Sequence, residues 1–377
     1  MRDLQLSRNQ GPSWQFQPKL PSNAMQAWLR NRRRFTDVFG ILERRRFRSI
    51  RNRFYDQLWR DAARDVGAEI TSSPGGLKQI SRGNLRTFVD NSEIMLDSAI
   101  TSRLLLNKAV TFDMLAAKGL RVPRRQKFGM DSLERAVAFL RENGGPVVVK
   151  PADGTGCGHG VTTWIADRYG LVKAARHAAA FHNELLVEEQ LVGSSYRLLY
   201  LDGECIDAVR RASPVVTGDG RSNIRQLISA ENGRRRLGET ITALSPLMID
   251  LECRNTLSAR DLSPADIPTE GKEVMVKLAV NENGAAQNHL VRDKVHPEII
   301  ETGSRIVREF GIAFAGLDVT AIDISRPLSE EGTIFNEINA GPGIHHHYLV
   351  SDRSRIAHVA PRILEHLFST RRGVIQI

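Results

Sequence analysis

Pro146-Val147-Val148-Val149-Lys150-Pro151-Ala152-Asp153-Gly154-Thr155-Gly156-Cys157-Gly158-His159-Gly160-Val161 is the stretch on which the fold turns. Its first half is an apolar run that ends on a lysine, the pattern of a buried strand. Its second half carries glycine at every second position from 154 to 160. Glycine loses more backbone entropy on folding than other residues. In return it offers positive φ and close approach of bare N–H groups. Beside a lysine, such groups suit a polyphosphate. Taken alone, the stretch also reads as a flexible glycine-rich hairpin. Thr162-Thr163-Trp164-Ile165 is a second strand-like run, so the glycines join two strands. A P-loop or a dinucleotide fold instead places its glycines at the start of a helix.

Downstream, Leu185-Leu186-Val187-Glu188-Glu189 is an apolar strand that meets two acids. An edge of this kind can bind adenine, although a solvated strand end has the same pattern. Ser195–Leu201 and Glu204–Arg211 form a hairpin through Asp202-Gly203. Two late strands are expected at 314–324 and 332–338. Asp318 lies on the first; Glu337 and Asn339 lie on the second, two apart and so on one face. Two carboxylates and an amide oxygen make a hard oxygen site suited to Mg²⁺. Both acids interrupt apolar runs, where an unpaired charge is costly. Asn339-Ala340-Gly341-Pro342-Gly343 then makes a rigid turn able to bring N–H groups to a carboxylate or an oxyanion. His345, His346 and His347 follow. Adjacent residues do not converge on one metal, so one is expected to face substrate and the others water.

Upstream, the charge is uneven. Between Arg30 and Arg60 there are eleven arginines and three acids, a net +8 of the chain's total of +10. Phe35, Val38, Phe39 and Leu42 recur at helical spacing, as do Phe47, Ile50, Phe54 and Leu58. This predicts an arginine-coated helix from Asn23, or two with a break near Gly40. Its apolar stripe is expected to pack on the body or on a second copy in a homodimer. Nucleic acid is disfavoured, since no aromatic-rich basic platform accompanies the arginines. Residues 1–22 read as an extended arm. Short strands follow up to 105, and a helix opens at Asn107-Lys108. A lobe is expected at 231–292, with a strand over 274–280. No apolar run has the length of a membrane span. No signal peptide is expected, and three scattered cysteines, Cys157, Cys205 and Cys253, point to a reducing cytoplasm.

Together, VVVKPADGTGCGHGV, VEEQLVGSSYRL, GLDVTAIDIS and NEINAGPG resemble the ATP-grasp ligases, most of all the ATP-grasp module of cyanophycin synthetase. The resemblance covers roughly 55–365. It implies an α+β ATP-grasp fold: two α+β subdomains, at 106–185 and 186–377, clasping ATP. A small amino-terminal domain with the arginine helix, at 23–105, precedes them. The resemblance implies that Lys108 and Lys150 hold phosphates. Asp153, Gly154, Thr155, Gly156, Gly158 and Gly160 would close over them. Glu188 and the backbone near Glu189 to Leu191 would meet adenine, with Arg197 near the nucleotide. Asp318, Glu337 and Asn339 would carry Mg²⁺. Arg210 or Arg211 would approach the transferred phosphoryl group, acting with Lys150 and Asn339. Arg292, Asn281, Gly341, Gly343 and His345 would meet substrate. The activity implied is ATP-dependent joining of a carboxylate to an amine through an acyl phosphate, on an amino acid or small peptide. A ligase modifying a peptide or protein chain is one alternative, and a non-catalytic nucleic-acid-associated protein another.

The sequence departs from those relatives in four places. The glycine loop is one residue longer. Ser195 stands where an acid meets ribose. Asn281-Glu282-Asn283-Gly284-Ala285-Ala286 replaces a loop of Ser-Thr-Gly-Gly character. Leu290-Val291-Arg292-Asp293 replaces an Asp-x-Thr-Asp pattern. The last two imply a substrate other than cyanophycin.

Overall fold

The computed structural model describes residues 22–153, 158–328 and 332–377. Gly154, Thr155, Gly156 and Cys157 of the glycine loop lie outside the described residues, as does the arm 1–21.

The arginine-rich segment forms two helices, Ser22–Thr36 and Val38–Asp65, which part at Asp37 and not near Gly40. The second apolar stripe is covered. Phe47, Ile50, Leu58 and Trp59 share a core with Ile363, Leu367 and Phe368 of the helix Val359–Thr370. Val38 and Leu42, from the first stripe, are 53% and 47% exposed. The side chains of Phe35 and Phe39 lie outside the description. This core is backed by the antiparallel strands Glu69–Ser72, Lys78–Arg82 and Leu85–Asp90. The last strand of the chain, Ile375–Gln376, pairs with Arg86 and Leu85. The first unit is therefore completed by the carboxyl-terminal end.

The glycine hairpin belongs to a four-stranded sheet in the order Arg125–Phe128, Leu185–Glu189, Val147–Pro151, Thr162–Ile165. Strand residues alternate faces with period two. Val147, Val149, Leu185 and Val187 pack with the helices Leu133–Asn143 and Arg168–Ala179. Val148, Lys150, Leu186 and Glu188 are left on the opposite face. Local chemistry sets these helix ends: Asp167 accepts from the N–H of Gly170, and Gly144 takes φ +68° where Leu133–Asn143 stops.

The largest sheet runs Asn288–Leu290, Glu204–Arg211, Ser194–Leu201, Phe314–Ala321, Thr333–Ala340, all antiparallel. Leu198, Tyr200, Leu317 and Val319 bury one face against Ile299, Ile306 and Val307 of the helix Pro297–Glu309. The other face looks toward the four-stranded sheet and the amino-terminal unit. A small lobe has its own core of Ile224, Ile228, Cys253, Leu257 and Val274. It starts with the strand Val215–Thr217, earlier than the expected 231, and Asn288–Leu290 already belongs to the large sheet. The strand expected over 274–280 ends at Met275. Two residues on, Lys277 turns inward to Asp250 and Glu282, each 2.8 Å away. A buried ammonium needs those partners more than the backbone needs a longer ladder.

Candidate active site

The register of the large sheet builds the site. Arg197 stands opposite Asp318, and Asp318 opposite Glu337. Beyond that pair the register shifts, so Asn336 is the extra residue of a bulge beside Glu337. One step the other way, Asn339 pairs with Gly316. Arg197, Asp318, Glu337 and Asn339 thus share one face. Gly316 is required there: a Cβ would lie 2.6 Å from Pro342 Cβ and 2.9 Å from Arg197 Cδ. Its bare backbone lets the turn after Asn339 fold back beside the guanidinium.

Cations hold both carboxylates. Arg197 grips Asp318 with two hydrogen bonds, and Arg211 reaches the same carboxylate at 2.9 Å. Burial works against ionisation of Asp318, but the two guanidiniums win and hold its carboxyl below the usual range. Burial likewise lowers the Arg211 guanidinium from its ordinary value. Glu337 is held by Lys108 at 3.3 Å. Lys108 opens the helix Lys108–Ala117, whose N-cap Asn107 accepts from the N–H of Val110 and donates to Asp153 at 3.2 Å. One cap therefore joins Lys108 to the first residue of the glycine loop.

Across the cleft, Lys150 and Glu188 pair at 2.7 Å, both side chains buried. Lys150 also lies over the Phe112 ring, 5.1 Å from its centre. The second Glu188 oxygen has no partner among the described residues. The glycine loop closes toward the lobe. At Gly158, with φ +68°, a Cβ would come 1.8 Å from Asn281 Nδ2; at Gly160, with φ +79°, it would come 2.9 Å from both Phe181 and Pro151. The lobe helix Leu251–Ser258 docks on the second hairpin strand, where Glu252 accepts from Thr163 Oγ1 at 3.0 Å.

No family model matches the chain. Cyanophycin synthetase of Trichormus variabilis is 31% identical over 272 residues, which cover 72% of this chain and 30% of that protein. A glutathione biosynthesis bifunctional protein of Mannheimia succiniciproducens is 29% identical over 287 residues, covering 74% of this chain and 37% of that one. The chain thus spans about a third of the length of the curated relatives it matches. Among solved structures, a bifunctional glutathione synthetase from Pasteurella multocida superposes with a TM-score of 0.50 at 23% identity, covering 79% of this chain and 42% of that one. The chain has the ATP-grasp fold. Its two clasping sheets are the four-stranded glycine-hairpin sheet and the five-stranded sheet of Asp318 and Glu337.

Within this ATP-grasp cleft the structure brings together Lys108, Lys150, Asp153, Glu188, Arg197, Arg211, Asp318, Glu337 and Asn339. Two expectations are corrected. Arg211 shares the cleft face, whereas Arg210 pairs with Tyr196 and His289 on the other face, so it does not point at phosphates. The bulge between Cys205 and Asp207 sets this choice. Arg292 is exposed and donates to the carbonyl of Cys205, five residues before Arg210 on the strand, so it does not join the cleft. Glu189 accepts from the N–H of Arg124 and ties down a strand end. Leu191 is half-buried just past that end, Gly341 takes φ +61°, and Gly343 lies against the His345 ring.

The histidines differ from expectation in part: His345 and His346 are half-buried, and His347 is not solvated. His347 is fully buried and bonded to Asp207 at 2.6 Å. His345 meets the Tyr55 hydroxyl at 3.0 Å, and its ring lies tilted against His346 with centroids 4.0 Å apart. Burial, then the charges of Arg51 and Arg197, pushes His345 down to about 3; burial also drives His346 well down. Tyr55 and Arg51 carried no sequence signal as site residues, because the contact that recruits them spans 290 positions.

Asp318, Glu337 and the Asn339 amide form an oxygen donor set of the kind Mg²⁺ prefers. Among the described residues no group of three His, Cys, Asp or Glu closes on a point. The buried Asn339 Nδ2 and Asn336 Oδ1 have no partner among the described residues, as fits a polar site built for a ligand. The residues fit the ion.

Proposed function

We propose that this chain is an ATP-dependent carboxylate–amine ligase acting on an amino acid or small peptide, releasing ADP and phosphate. The observation that carries this reading is the opposition of Lys150–Glu188 on one sheet to Lys108–Glu337 and Arg197–Asp318–Arg211 on the other. Each side offers cations to the cleft, and on the large-sheet side three cations outnumber two carboxylates, as suits a triphosphate. A substrate carboxylate oxygen attacks the γ-phosphorus while the bond to the β-phosphate oxygen breaks, giving an acyl phosphate and ADP. The amine nitrogen then bonds to the acyl carbon. Phosphate leaves, and the nitrogen loses a proton. Lys108, Lys150 and Arg211 neutralise the phosphoryl oxygens, and the glycine loop excludes water from the mixed anhydride. Asp318, Glu337 and Asn339 would hold Mg²⁺, which supplies charge neutralisation and in-line orientation. No protein nucleophile is required.

The relatives named cyanophycin synthetase and glutathione biosynthesis protein support amide-bond formation as the reaction class. The test is a screen of amino acids and dipeptides, in pairs, for ADP release with Mg²⁺ and ATP. Release that needs both an acid and an amine is expected. Release independent of either, or none with any pair, would sink the proposal.

A further inference from the structure

The second strand of the glycine hairpin, Thr162–Ile165, is bulged at its middle. Val147 pairs with Ile165 and Val149 with Thr162, so this strand holds one residue more than the stretch it faces. Trp164 takes φ +56° there, a conformation that a bulky side chain keeps only when its surroundings impose it. Gln190 takes the Trp164 N–H at 2.7 Å. The other restraints come from the lobe. Thr163 donates its hydroxyl to Glu252 at 3.0 Å, and its carbonyl accepts from Asn255 Nδ2 at 3.1 Å. Arg260 lies over the Trp164 ring, 5.2 Å from its centre.

Glu252 is buried, and its charge is met by hydrogen bonds instead of a cation. Lys277, next in the chain to Leu278, pairs with Asp250 and Glu282. Glu252 Oε1 accepts from Thr163 and also from the N–H groups of Leu278 at 2.9 Å and Ala279 at 3.0 Å; Oε2 accepts from Thr256 at 3.0 Å. Three donors on one oxygen suit an ionised carboxylate. Packing alone does not call for a buried charge here, since an apolar side chain of that volume would serve stability as well. One oxygen thus touches the hairpin strand on one side. On the other it touches the backbone that leads into the turn Val280–Glu282. Asn281, in that turn, places its amide against Gly158. The lobe therefore meets the hairpin twice, at the strand through Glu252 and at the glycine loop through Asn281.

We propose that Glu252 is a positioning residue of the nucleotide site. It fixes the hairpin for ATP through Thr163. It also carries the state of the hairpin to the loop 278–284 through the N–H groups of Leu278 and Ala279. ATP under the hairpin and the loop that meets Gly158 are then coupled through one carboxylate. This rests on nucleotide binding in the cleft and not on which acid and amine are joined.

The experiment pairs calorimetry with hydrogen exchange read by mass spectrometry, both with Mg²⁺ and a non-hydrolysable ATP analogue. In the native chain the nucleotide should slow exchange at Leu278 and Ala279. Thr163→Val keeps the shape and removes the donor. It should weaken nucleotide binding about tenfold, the scale of a hydrogen bond to a charged group, and abolish the response at Leu278 and Ala279. Thr163→Ser keeps the hydroxyl and should restore both. Thr162→Val is the control: the buried Thr162 hydroxyl has no partner among the described residues, so its loss should change neither. Glu252→Gln should act as Thr163→Val does, and it carries the test if melting curves show that Thr163→Val unfolds. A lower melting temperature with native nucleotide affinity would mark the contact as structural only and overturn the proposal. So would exchange at Leu278 and Ala279 that ignores nucleotide in the native chain. No nucleotide binding by the native chain would sink the cleft reading and this role with it, whereas unaltered binding in both variants would sink the role alone.

Discussion

Asp318 and Glu337 stand directly opposite each other on neighbouring strands, yet each is neutralised by different cations: Arg197 and Arg211 for the first, Lys108 for the second. Two carboxylates in one row would otherwise repel. The division of partners gives them different tolerance to change. Asp318 is buried and clamped, so its loss leaves two guanidiniums unpaired. Glu337 is 28% exposed, and its pair with Lys108 is looser. Glu337→Gln should therefore reduce ligase turnover on the order of 10²–10³-fold, the scale of losing a preorganised electrostatic group. Its unfolding free energy should change by less than about 1 kcal/mol. Phosphate-release rates and denaturant midpoints check both halves; normal turnover would mean that Glu337 does not serve the phosphates.

Lys150 and Glu188 form a pair taken out of water on both sides. Removing one partner of such a pair costs about 3–5 kcal/mol, because the other charge is stranded. Lys150→Met should lower the unfolding free energy by an amount of that order, read from the urea midpoint at constant slope. Lys150→Met with Glu188→Gln should recover most of the loss. Equal destabilisation in the single and double variants would show that the two side chains are not coupled.

The two described glycines of the loop make unequal demands. Both have positive φ, which costs an alanine roughly 1–2 kcal/mol. At Gly158 the obstacle is the tip of the Asn281 side chain, which can swing away. At Gly160 it is the Phe181 ring and the Pro151 ring, which cannot. Gly160→Ala should therefore raise the KM for ATP and lower the melting temperature more than Gly158→Ala. The reverse order would contradict the placement of the loop.

His345 gives a pH dependence of defined sign. Its imidazole is pushed down to about 3 in the fold, against 6.5 for the free group. The folded state therefore favours the neutral ring, and the unfolded state binds the extra proton. This stability is fully present above about pH 6.5 and is lost as pH falls toward 3. His345→Gln should flatten the stability profile over that window. A slope unchanged in the variant would show that His345 titrates normally in the fold.

Much of the site was legible because its chemistry conflicts with its surroundings. Lys150 ends an apolar strand, and Asp318 and Glu337 interrupt two others; buried charge in such places needs a reason. The choice between Arg210 and Arg211 was not legible. It depends on a bulge between Cys205 and Asp207, and one inserted residue changes which arginine meets the cleft. The Tyr55–His345 contact and the return of Ile375–Gln376 to the first sheet were hidden for another reason. Both join residues nearly 300 positions apart, where local periodicity carries no information. The early stop of the strand at Met275 belongs with them, since Lys277 answers to Asp250 and Glu282.

The central claim is that a triphosphate binds between the glycine-hairpin sheet and the Asp318–Glu337 sheet. A crystal structure with a non-hydrolysable ATP analogue and Mg²⁺ tests it most directly. The phosphates should lie within reach of Lys108 and Lys150, with the ion on Glu337 and the adenine near Glu188. Nucleotide bound elsewhere, with the Lys108–Glu337 and Lys150–Glu188 pairs undisturbed, would contradict the account.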